Sequence, residues 1–161
     1  MLWSPYHAVV RARVRGAFAA LSTKATRDLA TEFRPDAIFR FSGDHAMGGE
    51  LRGREQIGAW FARVRRLFPD LALVPLEIVV NGGPWNTTAA ARFLVHATLP
   101  NGEPYENEGM QYLRIIWGAI AEDRLYEDTA HLERVLAQLS QAGVGEASAS
   151  PLPETIQAAA G

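Results

Sequence analysis

The sequence has no cysteine, no large excess of charge and no long apolar segment. Without cysteine the chain can form no disulfide, thiolate nucleophile or cysteine metal site. Sixteen basic and eighteen acidic residues leave a net charge of -2, which gives no field to attract nucleic acid or anionic lipid. No segment approaches the roughly 20 apolar residues of a membrane span, and the N-terminus lacks a secretory pattern. We expect a soluble, cytoplasmic, single-domain protein with no nucleic-acid or membrane partner.

Motifs for metals and phosphate-containing cofactors are also missing. No two histidines stand at the spacing of metal ligands. The glycine-rich stretch "GDHAMGG" lacks the lysine and the serine or threonine of a phosphate-binding loop. We therefore expect neither a metal nor a cofactor.

Four segments have helical signals. The first starts at Ser4, where a capping residue precedes proline, and the second is a short segment, Thr26–Phe33. The third, Arg54–Phe68, carries apolar residues at spacings of three and four and ends before proline. The last, Thr129–Ser140, places its leucines and valine on one face.

Strand-like runs occupy the space between these helices. One covers Ala37–Ser42, and four more follow Leu71, joined by the turn sequences "NGGPW", "LPNGEP" and "WG". Consecutive strands with short joints predict an antiparallel meander. The fold class is then α+β: a cone-like curved antiparallel sheet wrapped over N-terminal helices, with a C-terminal helix. Such a cone encloses a pocket for a small apolar molecule. We place this domain at residues 1–142 and expect 143–161, rich in small residues and proline, to be a flexible tail.

Three phrases of the sequence resemble a known family. "FRPDAIFRFSG", "RGREQIGAWFARV" and "YENEGMQYLRIIWGAIAEDRLYEDTAHL" resemble the SnoaL-like branch of the nuclear transport factor 2-like superfamily. The resemblance extends over about Ser4 to Leu139 and implies the cone fold. The superfamily includes polyketide cyclases, ketosteroid isomerases, hydrolases and proteins that only bind or scaffold, so the resemblance implies a pocket more firmly than a reaction. One departure is Trp117-Gly118, where family members commonly carry Asp-Gly.

The resemblance implies that Asp128 is the acid/base residue, because the cyclases carry an aspartate at the end of the last strand, before a helix with a "QL" phrase. A carboxylate in an apolar cavity has its pKa raised toward neutrality, as proton removal beside a carbonyl requires. The alternative is that Asp128 only caps the last helix, which contributes about 1 kcal/mol. Tyr126, two residues earlier on the predicted strand, points to the same side and is a candidate hydrogen-bond donor to a substrate oxygen.

Further candidates lie on the other elements. The loop pair Asp44 and His45 combines a carboxylate with a side chain that titrates near neutral pH. Alternation along "YENEGMQY" puts Asn107 and Gln111 on one face, where they would orient a polar substrate atom. Two tryptophans, Trp60 on the third helix and Trp85 after "NGGP", are candidate walls of the pocket, although packing alone also explains them.

The opposite sheet face mixes apolar and basic side chains. Because side chains alternate between the two faces of a sheet, five residues of two strands point outward: Arg92, Leu94, His96, Tyr112 and Arg114. We call these five residues the outer-face set and expect them to form a homodimer contact.

Two kinds of function follow. One is an enzyme, a cofactor-independent cyclase, isomerase or hydrolase that acts on an apolar carbonyl-type substrate with Asp128 as acid/base. The other is a non-catalytic module of the same fold that binds a small ligand or serves as a dimeric interaction domain.

Overall fold

The computed structural model describes residues 4–22 and 28–153 and shows three α-helices and six strands over these ranges. The helices are α1 (Pro5–Ser22), α2 (Gly53–Leu67) and α3 (Thr129–Gln141). The strands are β1 (Phe33–Phe41), β2 (Gly49–Arg52), β3 (Ala72–Gly83), β4 (Asn86–Thr98), β5 (Pro104–Ile116) and β6 (Ala119–Glu127). Short 3-10 helices cover Leu29–Glu32 and Gly145–Ser148. In the described ranges no helix has the length and apolarity needed to cross a membrane.

The six strands form one open, mixed sheet in the order β2-β1-β6-β5-β4-β3. The predicted antiparallel meander is confirmed, because β3, β4, β5 and β6 pair antiparallel in sequence order. The sheet is not antiparallel throughout, since β1 lies parallel to β6. The α+β prediction is confirmed, with this one parallel pairing added.

The N-terminal part of the sheet differs from the prediction. Strand β1 begins at Phe33, which the sequence assigns to a helix, and in the described residues a 3-10 helix directly precedes it. Pro35 lies inside β1, where the register against β6 shifts, and an irregular pairing tolerates a residue that cannot donate a hydrogen bond. Strand β2 is not among the predicted strands; it pairs with residues Ile38 to Phe41 of β1. Residues 26 and 27 of the predicted second helix lie outside the described residues.

The core lies between the helices and the inner face of the sheet. Phe18 of α1 contacts Phe93 of β4, with ring centroids 5.2 Å apart. Trp60 of α2 contacts Phe39 of β1 at 4.5 Å. The periodicities predicted these faces: apolar residues every three or four positions on the helices meet apolar residues at every second position on the strands.

The segment after Gly143 packs on the body as far as the structure describes it. Ala147 is buried, and Leu152 packs against the core. Glu146 accepts two hydrogen bonds from Arg66 of α2, at 2.6 and 2.8 Å. The buried Arg63 donates to the carbonyl of Ser150 at 2.8 Å. The sequence predicts a flexible tail over residues 143–161. Contacts of Glu146 and of the Ser150 carbonyl with α2 instead hold the described part of this segment against the body. Residues 154–161 lie outside the described residues.

Candidate functional site

A cavity lies between α1, α2 and the inner face of the sheet. Its volume is about 130 Å³, and most of its lining is aliphatic or aromatic. An apolar cavity of roughly 150 Å³ is known to hold a benzene molecule, so the enclosed part suits a small ring system. Polar side chains line it in three places: the middle of β6, the end of β6 next to α3, and the edge formed by α1 and the β5–β6 turn.

The middle of the cavity contains a buried carboxylate, Asp123. This side chain is 2% exposed, and the Gln111 amide Nε2 donates to its two oxygens at 2.9 and 3.1 Å. Burial raises the pKa of Asp123 to about 7, and the Gln111 hydrogen bonds oppose that rise. At neutral pH the carboxyl is therefore present in both protonated and ionised forms, as a group that both accepts and donates protons must be.

A β-bulge orients Asp123 toward the cavity. Arg114 of β5 pairs with Glu122, whereas Ile115 pairs with Ile120, so that Ala121 has no partner on β5. The extra residue shifts the alternation by one position. Ile120 before the bulge lines the cavity, and Asp123 after it does as well.

The α3 end of the cavity contains a second carboxylate, Glu127, two alternations beyond Asp123. The Asn107 amide Nδ2 donates to the Tyr105 hydroxyl at 2.9 Å and lies 3.4 Å from Glu127 Oε2. Burial raises the pKa of Glu127 to about 7, and a hydrogen bond from the Tyr105 hydroxyl opposes the rise. Burial, followed by the nearby Glu127 charge, also raises the pKa of Tyr105 above its ordinary value, so Tyr105 stays protonated.

Side chains at the opposite edge of the cavity are more exposed. Arg13 of α1 donates to Glu32 at 2.8 Å and to the Gly118 carbonyl at 2.9 Å. These three residues line the cavity together with the exposed Val9. Arg13 thus ties α1 to the β5–β6 turn at the mouth, and Glu32 offsets its charge.

The structure places Asp128 at the start of α3. Its carboxylate accepts a hydrogen bond from the backbone nitrogen of His131 at 3.0 Å, which is the capping geometry. It is exposed and is not part of the cavity lining. Tyr126 is 48% exposed and lies on the outer side of β6. A catalytic role for these two residues stays a prediction, and the capping alternative for Asp128 describes its contacts.

His45 is buried outside the cavity lining. Its Nδ1 accepts from the Met47 backbone nitrogen at 3.2 Å, and its Nε2 donates to the Ser42 carbonyl at 3.1 Å. Burial lowers the pKa of His45, so the ring is neutral at physiological pH and holds the loop that follows β1. Asp44 is exposed beside it, and Trp85 is 65% exposed. Neither side chain lines the cavity.

Two of the other predicted residues line the cavity, and a third contacts a lining residue. Trp60 and Gln111 line it. Asn107 is half-buried and contacts Glu127. The residues that we missed are Asp123 and Glu127. Leu125 carries a weak signal, because an aliphatic residue next to Arg124 favours the inward side of β6, and both carboxylates lie in phase with it.

No metal site is formed by the part of the chain that the structure describes. Over residues 4–22 and 28–153, no group of three or more histidine, aspartate or glutamate side chains is close enough to hold a metal ion. Asp123 hydrogen-bonds to an amide, and Glu127 lies next to an amide and a phenol, so each carboxyl has neutral hydrogen-bonding neighbours.

The model of the SnoaL-like domain matches residues 14–123 of this sequence, more than half of its length. The chain belongs to the SnoaL-like family. The matched region includes Gln111 and Asp123, whereas Glu127 and Asp128 lie beyond it. No curated protein sequence matches the chain significantly.

Solved structures show the same fold. A proposed SnoaL-like polyketide cyclase from Jannaschia sp. CCS1 is 20% identical with a TM-score of 0.66, over 84% of this chain and 96% of that one. IdmH, a proposed polyketide cyclase from Streptomyces antibioticus, is 23% identical with a TM-score of 0.64, over 81% and 97%. A protein with a ketosteroid isomerase-like fold from Catenulispora acidiphila, in complex with trimethylamine, is 27% identical with a TM-score of 0.56, over 79% and 91%. The resemblance noted in the sequence is thereby confirmed, as are the family and the cone fold.

Proposed function

We propose that this SnoaL-like protein catalyses acid–base chemistry on a small, uncharged and mainly apolar carbonyl compound, with Asp123 as the group that accepts and returns the proton. The observation that carries this proposal is the fully buried carboxyl of Asp123 on the cavity wall, held at both oxygens by Gln111. The proposal transfers to Asp123 the role that the sequence suggested for Asp128.

The surroundings of Asp123 fit proton removal from carbon. A carbon acid beside a carbonyl is weak, and a base whose pKa lies near 7 is the strongest one that remains partly ionised at that pH. Apolar walls keep water from solvating the carboxylate. The proton that leaves the substrate carbon resides on the carboxyl of Asp123 and returns to a second position of the substrate.

The cavity lining sets the class of substrate. Aliphatic and aromatic side chains form most of the wall, and Arg13, the one cation among the described lining residues, is ion-paired with Glu32. An anionic substrate would lose its hydration there without gaining a counter-charge. Neutral ketones with an apolar ring system match this lining.

The test is exchange of hydrogen at carbon in a simple bicyclic ketone. In D₂O, 2-tetralone exchanges its α-protons slowly, and NMR follows the loss of signal. We expect the wild-type protein to accelerate exchange and Asp123→Asn to lower the acceleration by roughly 100-fold or more. Asp128→Asn is the matched control, since asparagine caps helices about as well as aspartate. If exchange depends on Asp128 and not on Asp123, the assignment is reversed.

A second candidate is a ligand-binding protein without catalysis. The nearly continuous apolar wall favours it, because such a wall binds ring systems without any acid or base. Saturable binding of 2-tetralone with no acceleration of exchange would support this alternative.

The proposed assembly is a homodimer in the cytoplasm, as predicted from the sequence. Exposed apolar side chains on the outer face of β3 and β5, among them Val79, Met110 and Tyr112, support a contact on this face. A chain without cysteine is compatible with a reducing compartment.

A further inference from the structure

We propose that Glu127 and Tyr105, oriented by Asn107, form a second polar subsite at the α3 end of the cavity, which hydrogen-bonds an oxygen of the substrate at the end remote from Asp123. This inference rests on the proposed function and narrows its substrate to a compound with an oxygen at each end of an apolar body. Glu127 is a half-buried carboxyl on the cavity lining that the acid–base chemistry at Asp123 leaves unused.

The contacts of the subsite show an organised group of donors and acceptors. The Asn107 amide is 3.2 Å from the Asp128 carbonyl as well as 2.9 Å from the Tyr105 hydroxyl, so that the end of β6 and the start of β5 are tied together. The Tyr105 ring stacks on Phe68 at 5.3 Å and lies 5.4 Å from His131 of α3. These contacts fix the orientation of the phenol and the amide, and Glu127 faces the cavity beside them.

The backbone leaves room for the glutamate. Gly109 of β5 lies opposite Glu127 of β6 on one side and opposite Phe93 of β4 on the other. A Cβ at position 109 would lie 2.4 Å from Phe93 Cζ and 3.0 Å from Glu127 Cγ. Glycine at this position thus lets the Glu127 side chain and the Phe93 ring occupy the same inner layer.

Strand geometry sets the length of the ligand. Four residues of an extended strand separate the Cα atoms of Asp123 and Glu127 by about 13 Å. Side chains stand roughly perpendicular to a sheet, so the two carboxyl groups have about the same separation as their Cα atoms. A hydrogen bond of about 2.8 Å at each end then leaves the two ligand oxygens about 7 Å apart. That is the separation across two fused six-membered rings. Leu125, between the two carboxyls, provides an apolar surface for the rings.

The experiment compares two probes that differ by one hydroxyl. Isothermal titration at pH 6 measures the Kd of 2-naphthol and of 2,6-dihydroxynaphthalene. We expect wild-type protein to bind the diol about three- to tenfold more tightly, the effect of one added hydrogen bond. In Glu127→Leu that preference should disappear while the Kd of 2-naphthol stays within about twofold. Glu127→Gln should restore the preference, because an amide still hydrogen-bonds to a hydroxyl.

Glu122→Gln is the matched control, since Glu122 is on the same strand and pairs with Arg124 rather than lining the cavity. It should leave the preference unchanged. Equal affinities in the wild type, or a preference that survives in Glu127→Leu, would overturn the subsite and leave the role of Asp123 intact. Failure of both probes to bind would overturn the subsite too. A Glu127-dependent preference without any ketone exchange would keep the subsite and remove the acid–base function.

Discussion

Replacing the buried carboxyl of Asp123 with an amide should stabilise the protein at high pH. The ordinary pKa of an aspartate is 3.8, and burial raises that of Asp123 to about 7. Between these values the folded state holds a proton that the unfolded state has released. The contribution of this group to stability is therefore complete below pH 4 and is lost as the pH rises through 7. A pKa difference of this size corresponds to about 4 kcal/mol.

Asparagine has nearly the same shape and does not ionise, so Asp123→Asn avoids this loss. We expect the variant to match the wild type in unfolding free energy at pH 4 and to exceed it by roughly 2–4 kcal/mol at pH 8. For a chain of this length the gain corresponds to a rise in melting temperature of about 10 °C. The same variant should have lost its ability to accelerate hydrogen exchange in the ketone, as expected where activity requires a group that lowers stability.

Urea unfolding of both proteins at half-unit steps from pH 4 to pH 8 checks the prediction. The difference between the two curves isolates Asp123, because Glu127 and all exposed acids titrate in both proteins. A stability difference that is constant with pH would refute the argument, since it would show that ionising Asp123 does not destabilise the folded state. A wild type that is more stable than the variant at pH 8 would refute it as well.

Three other predictions concern the surface and the termini. Deleting Gly145 to Gly161 should lower the melting temperature by about 5–10 °C relative to a chain that ends at Pro153, because Arg63 loses the Ser150 carbonyl and Glu146. This is opposite to our expectation from sequence. A change below about 2 °C would show that the contacts of residues 145–153 contribute nothing. The wild type should sediment as a dimer at micromolar concentration and Tyr112→Glu as a folded monomer, because the charge would be buried in the outer-face contact; a monomeric wild type would contradict the contact. Trp117→Gly should raise the unfolding free energy by about 1 kcal/mol, because Trp117 takes a φ of +49° and is exposed. An unchanged melting temperature would show that the contacts of the ring stabilise the fold as much as the backbone strain destabilises it.

Much of the fold was readable because it depends on local patterns. The alternation in "YENEGMQY" put Asn107 and Gln111 on one face, and both lie on the side of β5 that carries its buried residues. The proline after α2 and the capping aspartate before α3 marked helix boundaries to within one or two residues. The start of β1 was missed because Pro35 reads as a helix stop and a strand breaker, whereas an irregular register with β6 accommodates it.

The sequence alone determined the fold class, the family resemblance and the inward face of β5, because periodicity and turn chemistry act over a few neighbouring residues. The tertiary structure decided which carboxylates face the cavity. The sequence of β6 permits either alternation of inward and outward side chains. The alternation depends on the bulge at Ala121, which forms only when β6 pairs with β5. The raised pKa of Asp123 likewise requires walls contributed by distant segments, since desolvation is a property of the assembled core rather than of the strand that carries the aspartate.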